Sequence, residues 1–219
     1  MNQSSLDLGT IRTLEKKAKD LGLDERTLIE NASSNLSAVI EKLNLGKKVL
    51  VISGRGNNGA DVLSCARKLY SRGYEVTAAV LEEKEVGAEA AYQKRILAKI
   101  KVPVYSVNQN NLESLKRLAK EANFILEGIL GIGLKGEVDP FFRQVISLIN
   151  SSGKKIVSCD IPSGLSPDEG IILGEAAKAD YTITFIAQKK GFFLNQGPEY
   201  CGKIFVVDIG ISREILKEL

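Results

Sequence analysis

The sequence predicts an α/β fold built on a parallel, doubly wound sheet. Short apolar runs rich in β-branched residues alternate along the chain with amphipathic segments of about 10 to 15 residues, which is the pattern of strands joined by crossover helices. A glycine-rich turn directly follows the first of these runs, where doubly wound sheets bind their ligands. No repeat, low-complexity tract or long linker interrupts the pattern, so we expect residues 1–219 to form one domain.

Two helices are predicted before the first strand. Apolar residues at helical spacing indicate a helix over residues 8–21, which Gly22 ends, and a second helix that Asp24 caps and that continues to residue 43. Residues 49–53 then form a short apolar run that is typical of a buried parallel strand.

A βαβ unit with a glycine-rich first turn begins at this strand. The turn occupies residues 54–59, Asp61 is expected to open a helix that stops at Gly73, and residues 74–81 are expected to form the second strand. Backbone amides and a helix N-terminus at such a turn can hold an anion. The segment therefore predicts a site for a phosphorylated ligand, and we expect a nucleotide.

The remaining elements continue the alternation, and the last third of the chain is richer in strands. Further helices are predicted over residues 87–100, 112–122 and 140–149, further strands over 102–107, 124–126, 155–159, 181–186 and 204–209, and a short helix after Ser212.

Three strand ends carry residues that suit ligand binding. The first is the glycine turn, the second is Glu127 with four glycines in the nine residues after it, and the third is Asp160 in a proline-stiffened turn. Each has a purely structural alternative: a tight strand-to-helix turn, a flexible loop and an Asx-type cap. The carboxyl ends of parallel strands meet at one edge of a sheet, which favours a shared binding site.

An ordinary NAD(P) dehydrogenase is the first functional hypothesis. The spacing of Gly54, Gly56 and Gly59 matches G-x-G-x-x-G, and Glu82 and Glu83 stand where a ribose-binding acid belongs. The hypothesis fits poorly in other respects. Asn57, Asn58 and Asp61 place amides and a carboxylate where a pyrophosphate would bind, and the Tyr-x-x-x-Lys pair of many dehydrogenases is absent.

Composition narrows the classes of function. The net charge of +3, from 30 basic and 27 acidic residues, predicts no strong attraction to nucleic acid or membrane. The absence of histidine excludes His-based triads and His-ligated metals. Cys65, Cys159 and Cys201 form no C-x-x-C pair, so we expect reduced, buried thiols in a cytoplasmic protein. No signal peptide or membrane-length apolar run is recognisable.

Four segments together carry a more specific signal. They resemble, in order, the G-x-G-N-N-G-G-D-G, D-A-L-F-G-T-G-L, V-D-I-P-S-G and K-A-D-x-T-x-T-F motifs of the YjeF N-terminal domain family, the NAD(P)H-hydrate epimerases. Here the segments read GRGNNGADV at residues 54–62, EGILGIGL at 127–134, CDIPSG at 159–164 and KADYTITF at 178–185. Residues 28–32 and 189–191 are similar to the family's L-M-E-x-A helix and K-x-G turn, so the resemblance spans nearly the whole chain.

The resemblance implies a Rossmann-like three-layer αβα sandwich with a mostly parallel central sheet. It implies an isomerase that interconverts the R and S forms of hydrated NADH and NADPH (NADHX and NADPHX) at C6 of the nicotinamide ring. Asp160 is then the expected acid–base residue, because a carboxylate is the natural proton-transfer group in a site without histidine. Carried over position by position, the substrate-binding residues are Asn57, Asn58, Gly59, Ala60, Asp61, Gly131, Ile132, Gly133, Leu134, Lys135, Gly136, Glu137 and Asp160.

The resemblance also implies a cofactor and partners. A potassium ion would be held by Asn58, Glu127 and Ser163, whose amide, carboxylate and hydroxyl oxygens suit a hard cation. A homodimer is expected. Since 219 residues leave no room for a dehydratase domain, a separate ADP- or ATP-dependent NAD(P)HX dehydratase, or a part of the protein beyond these residues, would complete the repair.

Four positions depart from the family pattern. Ala60 and Val62 replace glycines, Glu127 replaces an aspartate and Ile132 replaces a threonine. We expect ordinary helical φ angles at Ala60 and Val62, with their side chains narrowing the ligand pocket. Because all four lie in the expected site, the alternative is a catalytically degenerate nucleotide-binding or scaffold domain of the same fold, as in enhancer-of-decapping proteins.

Overall fold

A computed structural model of the protein describes residues 5–82 and 85–212. Within them seven strands form one sheet, and every neighbouring pair is parallel. The strands are β1 (Lys48–Ser53), β2 (Glu75–Leu81), β3 (Val104–Val107), β4 (Phe124–Gly128), β5 (Lys155–Cys159), β6 (Tyr181–Phe185) and β7 (Lys203–Val207). Their order across the sheet is β3-β2-β1-β4-β5-β6-β7. The predicted parallel α/β fold is confirmed.

Helices cover both faces of this sheet, which gives the three predicted layers. The helices are α1 (Leu8–Asp20), α2 (Glu25–Leu43), α3 (Asn57–Ser71), α4 (Ala88–Lys99), α5 (Glu113–Glu121), α6 (Pro140–Asn150) and α7 (Gly197–Tyr200). Residues of α1 to α4 share one apolar core with one face of the strands, and residues of α5 and α6 share a second core with the other face. Alternation along β1 shows the division, because Val49 and Val51 enter the first core and Leu50 and Ile52 the second. None of the described helices is both long and apolar enough to cross a membrane.

The starts of two predicted elements need correction, and a third predicted element lies outside the described residues. Helix α3 begins at Asn57, not at Asp61, because Gly56 adopts the extended N-cap conformation with φ −94° and ψ −162°. Strand β3 begins at Val104, two residues later than expected, since Lys101 turns the chain with φ 64°. The helix expected after Ser212 lies outside the described residues.

The strand order places a ligand site at one point of the sheet. From β1 the chain passes through α3 to β2 on one side, while β4 pairs with β1 on the other side. The order of the strands therefore reverses at β1, and the crevice beyond the carboxyl ends of β1 and β4 is where such sheets bind ligands.

Candidate functional site

A cavity of about 710 Å³ opens beyond the carboxyl ends of β1, β4 and β5. It therefore lies where the topology places a ligand. The structure brings nine of the predicted substrate-binding residues to its wall, namely Asn57, Asn58, Asp61, Gly131, Ile132, Gly133, Leu134, Lys135 and Asp160.

Four other predicted substrate-binding residues do not line the cavity. Gly59 and Ala60 lie within α3, and Ala60 is fully buried in the core. Gly136 turns the chain with φ 71°, and Glu137 pairs with Arg143 on α6. All four belong to or adjoin the family motifs in sequence, but the chain has turned away from the cavity at their positions.

The added side chains of Ala60 and Val62 do not narrow the cavity. Both residues have the helical φ expected from the sequence, since they lie in α3 and neither has a positive φ. Both are fully buried, and the Val62 methyl groups lie against Gly128, where an added Cβ would come within 2.6 Å of them. The expectation that they fill ligand space is wrong, because their Cα–Cβ bonds point into the core.

Asp160 directly follows β5 and is only 8% exposed. Its φ of 62° lies in the left-handed region, which costs of order 1–3 kcal/mol for a non-glycine residue. Surrounding hydrogen bonds hold it there. Its backbone N–H donates to the Ile183 carbonyl at 2.8 Å, and its Oδ1 accepts from the Phe185 N–H at 2.9 Å and from the Thr184 hydroxyl at 3.2 Å.

Lys189 is a buried cation beside Asp160, and its place in the site could not be predicted from the sequence. The Lys189 side chain is 1% exposed, and its ammonium pairs with Asp160 Oδ1. The same ammonium donates to Thr184 Oγ1 at 2.6 Å and to the Phe185 carbonyl at 3.2 Å. These bonds use Oδ1 only. Asp160 Oδ2 accepts no hydrogen bond from the residues that the structure describes, and it remains available to a ligand in the cavity.

Three further carboxyls of the described residues line the cavity: Glu85, which follows β2, and Asp61 and Glu15, which interact with Asp160. Asp61 and Glu15 both line it, and neither side chain has a hydrogen bond or ion pair within residues 5–82 and 85–212. Burial raises the pKa of Asp61 well above its usual range, and the charges of Asp160 and Glu15 raise it further. Burial also raises the pKa of Glu15, with the charge of Asp160 acting in the same direction. Glu15 could not be recognised from the sequence, because an isolated acid on an amphipathic helix is ordinarily solvated.

The glycine turn places free backbone amides on the cavity wall beside two cations. The amides of Asn57, Asn58 and Gly59 form the first turn of α3 and have no partner within that helix. Arg55 and Lys135 line the cavity nearby, and the Arg55 guanidinium lies 5.6 Å from the centre of the Phe142 ring. Free amides and two cations suit a phosphate or pyrophosphate group.

The three expected potassium ligands come together around Leu130. Ser163 Oγ accepts from the Leu130 N–H at 2.9 Å, and Asn58 Nδ2 donates to the Leu130 carbonyl at 3.0 Å. Glu127 is fully buried, and its carboxylate accepts from Ser163 and from Ser158. Burial raises the pKa of Glu127 although these hydrogen bonds act against the shift.

Asn58 Oδ1 completes a donor set that fits a hard cation. This oxygen is buried and has no hydrogen-bond partner, and a buried amide oxygen is costly to leave unpaired. The described residues contain no cluster of three or more His, Cys, Asp or Glu side chains suited to a metal. Any cation here would therefore rest on amide, hydroxyl, carbonyl and single-carboxylate oxygens.

The site gives the dehydrogenase hypothesis little support. Glu82 is not on the cavity wall and instead pairs with Lys94 on α4. Glu83 lies outside the described residues. Glu82 thus does not make the predicted ribose contact, and the described acid after β2 that lines the cavity is Glu85.

Comparisons with known proteins agree on one family. Residues 25–191 match the family described as YjeF-related protein N-terminus. NAD(P)H-hydrate epimerase of Elusimicrobium minutum is 34% identical over 219 residues, which cover 95% of this chain and 96% of that protein. NAD(P)H-hydrate epimerase of Limosilactobacillus fermentum is 32% identical and is covered to 95%.

Other relatives are longer than this chain. The bifunctional NAD(P)H-hydrate repair enzyme of Dictyoglomus turgidum is 35% identical over 213 residues, and the chain spans only 40% of its length. Among solved structures, the yeast protein YNL200c superimposes with a TM-score of 0.84 at 23% identity, covering 98% of this chain and 93% of that one. This last likeness concerns the fold alone.

Proposed function

The chain belongs to the family of YjeF-related protein N-termini, and we propose that it is an NAD(P)H-hydrate epimerase, an isomerase that interconverts R and S NADHX and NADPHX. The observation that carries the proposal is the cavity itself. Its wall joins the amides of the glycine turn to Asp160, Asp61 and Glu15, three of the four carboxyls that the described residues contribute, and the charges of these three act on one another. Relatives of similar length and more than 30% identity bear the name of this activity.

The cations and free amides of the cavity suit the pyrophosphate of the substrate, and the carboxyls suit its nicotinamide ring. Arg55, Lys135 and the first amides of α3 would bind the pyrophosphate. The hydrated nicotinamide ring would lie among the carboxyls. Loss of the C6 hydroxyl as water leaves a positively charged iminium between N1 and C6, and negative groups fixed around it stabilise that charge.

Asp160 is the proposed acid–base residue at C6. Its Oδ1 is held by Lys189, Thr184 and the Phe185 amide, which fixes the plane of the carboxylate. Its Oδ2 is left to exchange a proton with the substrate hydroxyl or with the water that replaces it. Fixed geometry of this kind is what general acid–base catalysis requires.

The direct test is an assay with purified protein and the R epimer of NADHX. We expect conversion to the S epimer, separated by chromatography, faster than in buffer alone. Conversion at the buffer rate, with the protein folded, would instead support a degenerate or scaffold domain.

We expect no oxidation of intact NADH or NADPH. The cavity holds no histidine and no Tyr-x-x-x-Lys pair, so the usual proton donors of carbonyl reduction are missing. The measurement is the near-ultraviolet absorbance of the reduced nicotinamide ring in the presence of small aldehydes and ketones. A steady loss of absorbance would favour the dehydrogenase hypothesis.

A potassium ion is the proposed cofactor, held by Asn58, Glu127 and Ser163. Its charge would orient the neighbouring anionic substrate, and the unpaired Asn58 Oδ1 supports the assignment. We expect potassium chloride to stabilise the protein more than tetramethylammonium chloride does. At ten times Kd the gain is about 1.4 kcal/mol, or roughly 3–6 °C in Tm for a chain of this size.

Asn58→Ala should abolish this potassium-specific shift, whereas Asn110→Ala, which alters an exposed asparagine, should retain it. Equal Tm values in both salts, or an unchanged shift in Asn58→Ala, would contradict the proposed site.

The proposed partners follow from the same chemistry. We propose a homodimer that works together with an ADP- or ATP-dependent NAD(P)HX dehydratase, since an epimerase alone does not remove the hydrate. The chain spans about 40% of the bifunctional relatives, so a second activity accounts for the rest of those proteins. Three free cysteines are all buried, which supports a reducing, cytoplasmic setting.

A further inference from the structure

Helix α1 lies outside the segment that matches the family, residues 25–191, yet it forms part of the cavity wall. Backbone bonds fix its position. Leu6 donates to the Gln188 carbonyl at 2.8 Å and accepts from the Lys190 N–H at 3.1 Å, on either side of Lys189. Arg12, one turn into α1, donates to the Ile132 carbonyl at 3.3 Å. The helix is thus anchored to the turn that carries Lys189 and to the glycine-rich segment after β4.

From this position α1 presents Glu15 to the cavity. The residue is only partly exposed, and its carboxyl has neither a hydrogen bond nor an ion pair among the described residues. Leu14 and Ala18, on the same helix, are fully buried. The helix therefore cannot rotate Glu15 into solvent without exposing its apolar face.

We propose that Glu15 is a second proton-transfer residue of the site, acting on the C6 oxygen of NAD(P)HX together with Asp160. The inference rests on the proposed epimerase function and adds a residue that the family match does not reach. Glu15 comes from α1 and Asp160 from the end of β5, so two carboxyls line the cavity from different elements. Epimerisation needs two such groups if water leaves one face of C6 and returns to the other.

The proposed step balances without a redox partner. The Glu15 carboxylic acid gives its proton to the C6 hydroxyl, the C6–O bond breaks, and water departs with the bonding electrons while the N1 lone pair forms the N1=C6 bond. Water then attacks the opposite face, the new C6–O bond forms, the N1=C6 electrons return to N1, and Asp160 takes the proton. Asp160 then releases its proton to solvent water and Glu15 takes one up, which restores the starting states for the next turnover. The reverse reaction runs from the swapped protonation states.

Glu15 suits this exchange better than Asp61 does. Asp61 is more deeply buried than Glu15, and burial favours its neutral form. The pKa of Glu15 is raised by burial and by Asp160, against the opposing charges of Lys189, Lys19 and Arg12. A proton-transfer group works best when its pKa moves towards the operating pH.

The test compares Glu15→Gln with Asp20→Asn, which removes an exposed acid from the same helix. For R-NADHX we expect Glu15→Gln to lower kcat by about 10²-fold with KM changed less than about threefold, as for loss of a general acid. Asp20→Asn should keep the parent rate. The parent rate should fall as pH rises through the Glu15 pKa, and this limb should be missing from the residual rate of Glu15→Gln.

Parent-like turnover by Glu15→Gln, or a loss confined to KM, would overturn the proposal. An equal loss in Asp20→Asn would overturn it too, because α1 would then act through its fold and not through Glu15. These outcomes differ from failure of the proposed function, in which the parent protein itself does not convert R-NADHX. Far-ultraviolet circular dichroism of all three proteins confirms that the comparison is made between folded chains.

Discussion

Asp160→Asn is expected to lower the epimerisation rate by at least about 100-fold, the usual effect of removing a general acid–base group. The amide keeps the shape of the carboxylate and still offers Oδ1 to the Phe185 amide and to the Lys189 ammonium. It cannot accept a proton at neutral pH. The measurement is the initial rate of R to S conversion of NADHX by the purified variant.

Two controls make this result specific. Asp20→Asn carries the same chemical change at an exposed position and should retain the parent rate. The Tm of Asp160→Asn should show a cooperative transition, so that a lost rate is not mistaken for a lost fold. A folded Asp160→Asn variant with the parent rate would move the proton-transfer role to Asp61 or Glu15.

Lys189→Met is expected to destabilise the fold by about 3–5 kcal/mol, because it leaves the buried Asp160 carboxylate without its partner. Lys189 is fully buried, and its ammonium also donates hydrogen bonds to Thr184 Oγ1 and to the Phe185 carbonyl. The measurement is the free energy of unfolding from a urea titration. The double variant Lys189→Met with Asp160→Asn should recover part of this loss, since no unpaired buried charge remains.

The two single variants and the double variant form a thermodynamic cycle. We expect a coupling free energy of about 1–3 kcal/mol between positions 160 and 189, as is typical of residues in direct contact. Lys48→Met, which removes an exposed lysine paired with Glu75, is the matched control and should change stability by less than about 1 kcal/mol. If the stability changes of the two single variants simply add in the double variant, the Asp160–Lys189 ion pair does not stabilise the site.

The strand ends of the site were predictable because their signals are local. Gly54 and Gly59 are needed where an added Cβ would come within 1.8 Å of the Ile129 carbonyl oxygen and 2.2 Å of the Gly54 carbonyl oxygen. Such close approaches restrict a position to glycine and leave a readable pattern in the sequence. Asp160 was likewise found from its place directly after a buried apolar run.

The helix start at Asn57 was missed for an equally physical reason. Capping rules look for a side chain that accepts a backbone N–H, which led to Asp61. The actual N-cap, Gly56, has no side chain and makes no such bond. Because Gly56 has no capping side chain, the sequence predicts a loop at this position instead of the start of a helix.

Lys189 and Glu15 could not be predicted because their roles are set by tertiary structure. The sequence places Lys189 in a segment similar to the family's K-x-G turn, but its burial depends on Leu6, which bonds to Gln188 and Lys190 on either side of it. Glu15 lies on α1, whose position at the cavity wall depends on those same contacts. Local sequence motifs identify the strand ends that form the site. The other side chains around the cavity are known only from the tertiary structure.

The central claim, that this cavity epimerises a nicotinamide hydrate, is tested most directly by starting from each pure epimer in turn. Separate samples of R-NADHX and S-NADHX are incubated with the protein, and the two forms are followed by chromatography. The account predicts that both samples converge on the same ratio of epimers at a rate proportional to protein concentration, and that Asp160→Asn slows both approaches. Two ratios that remain distinct, or that converge no faster than in buffer, would contradict it.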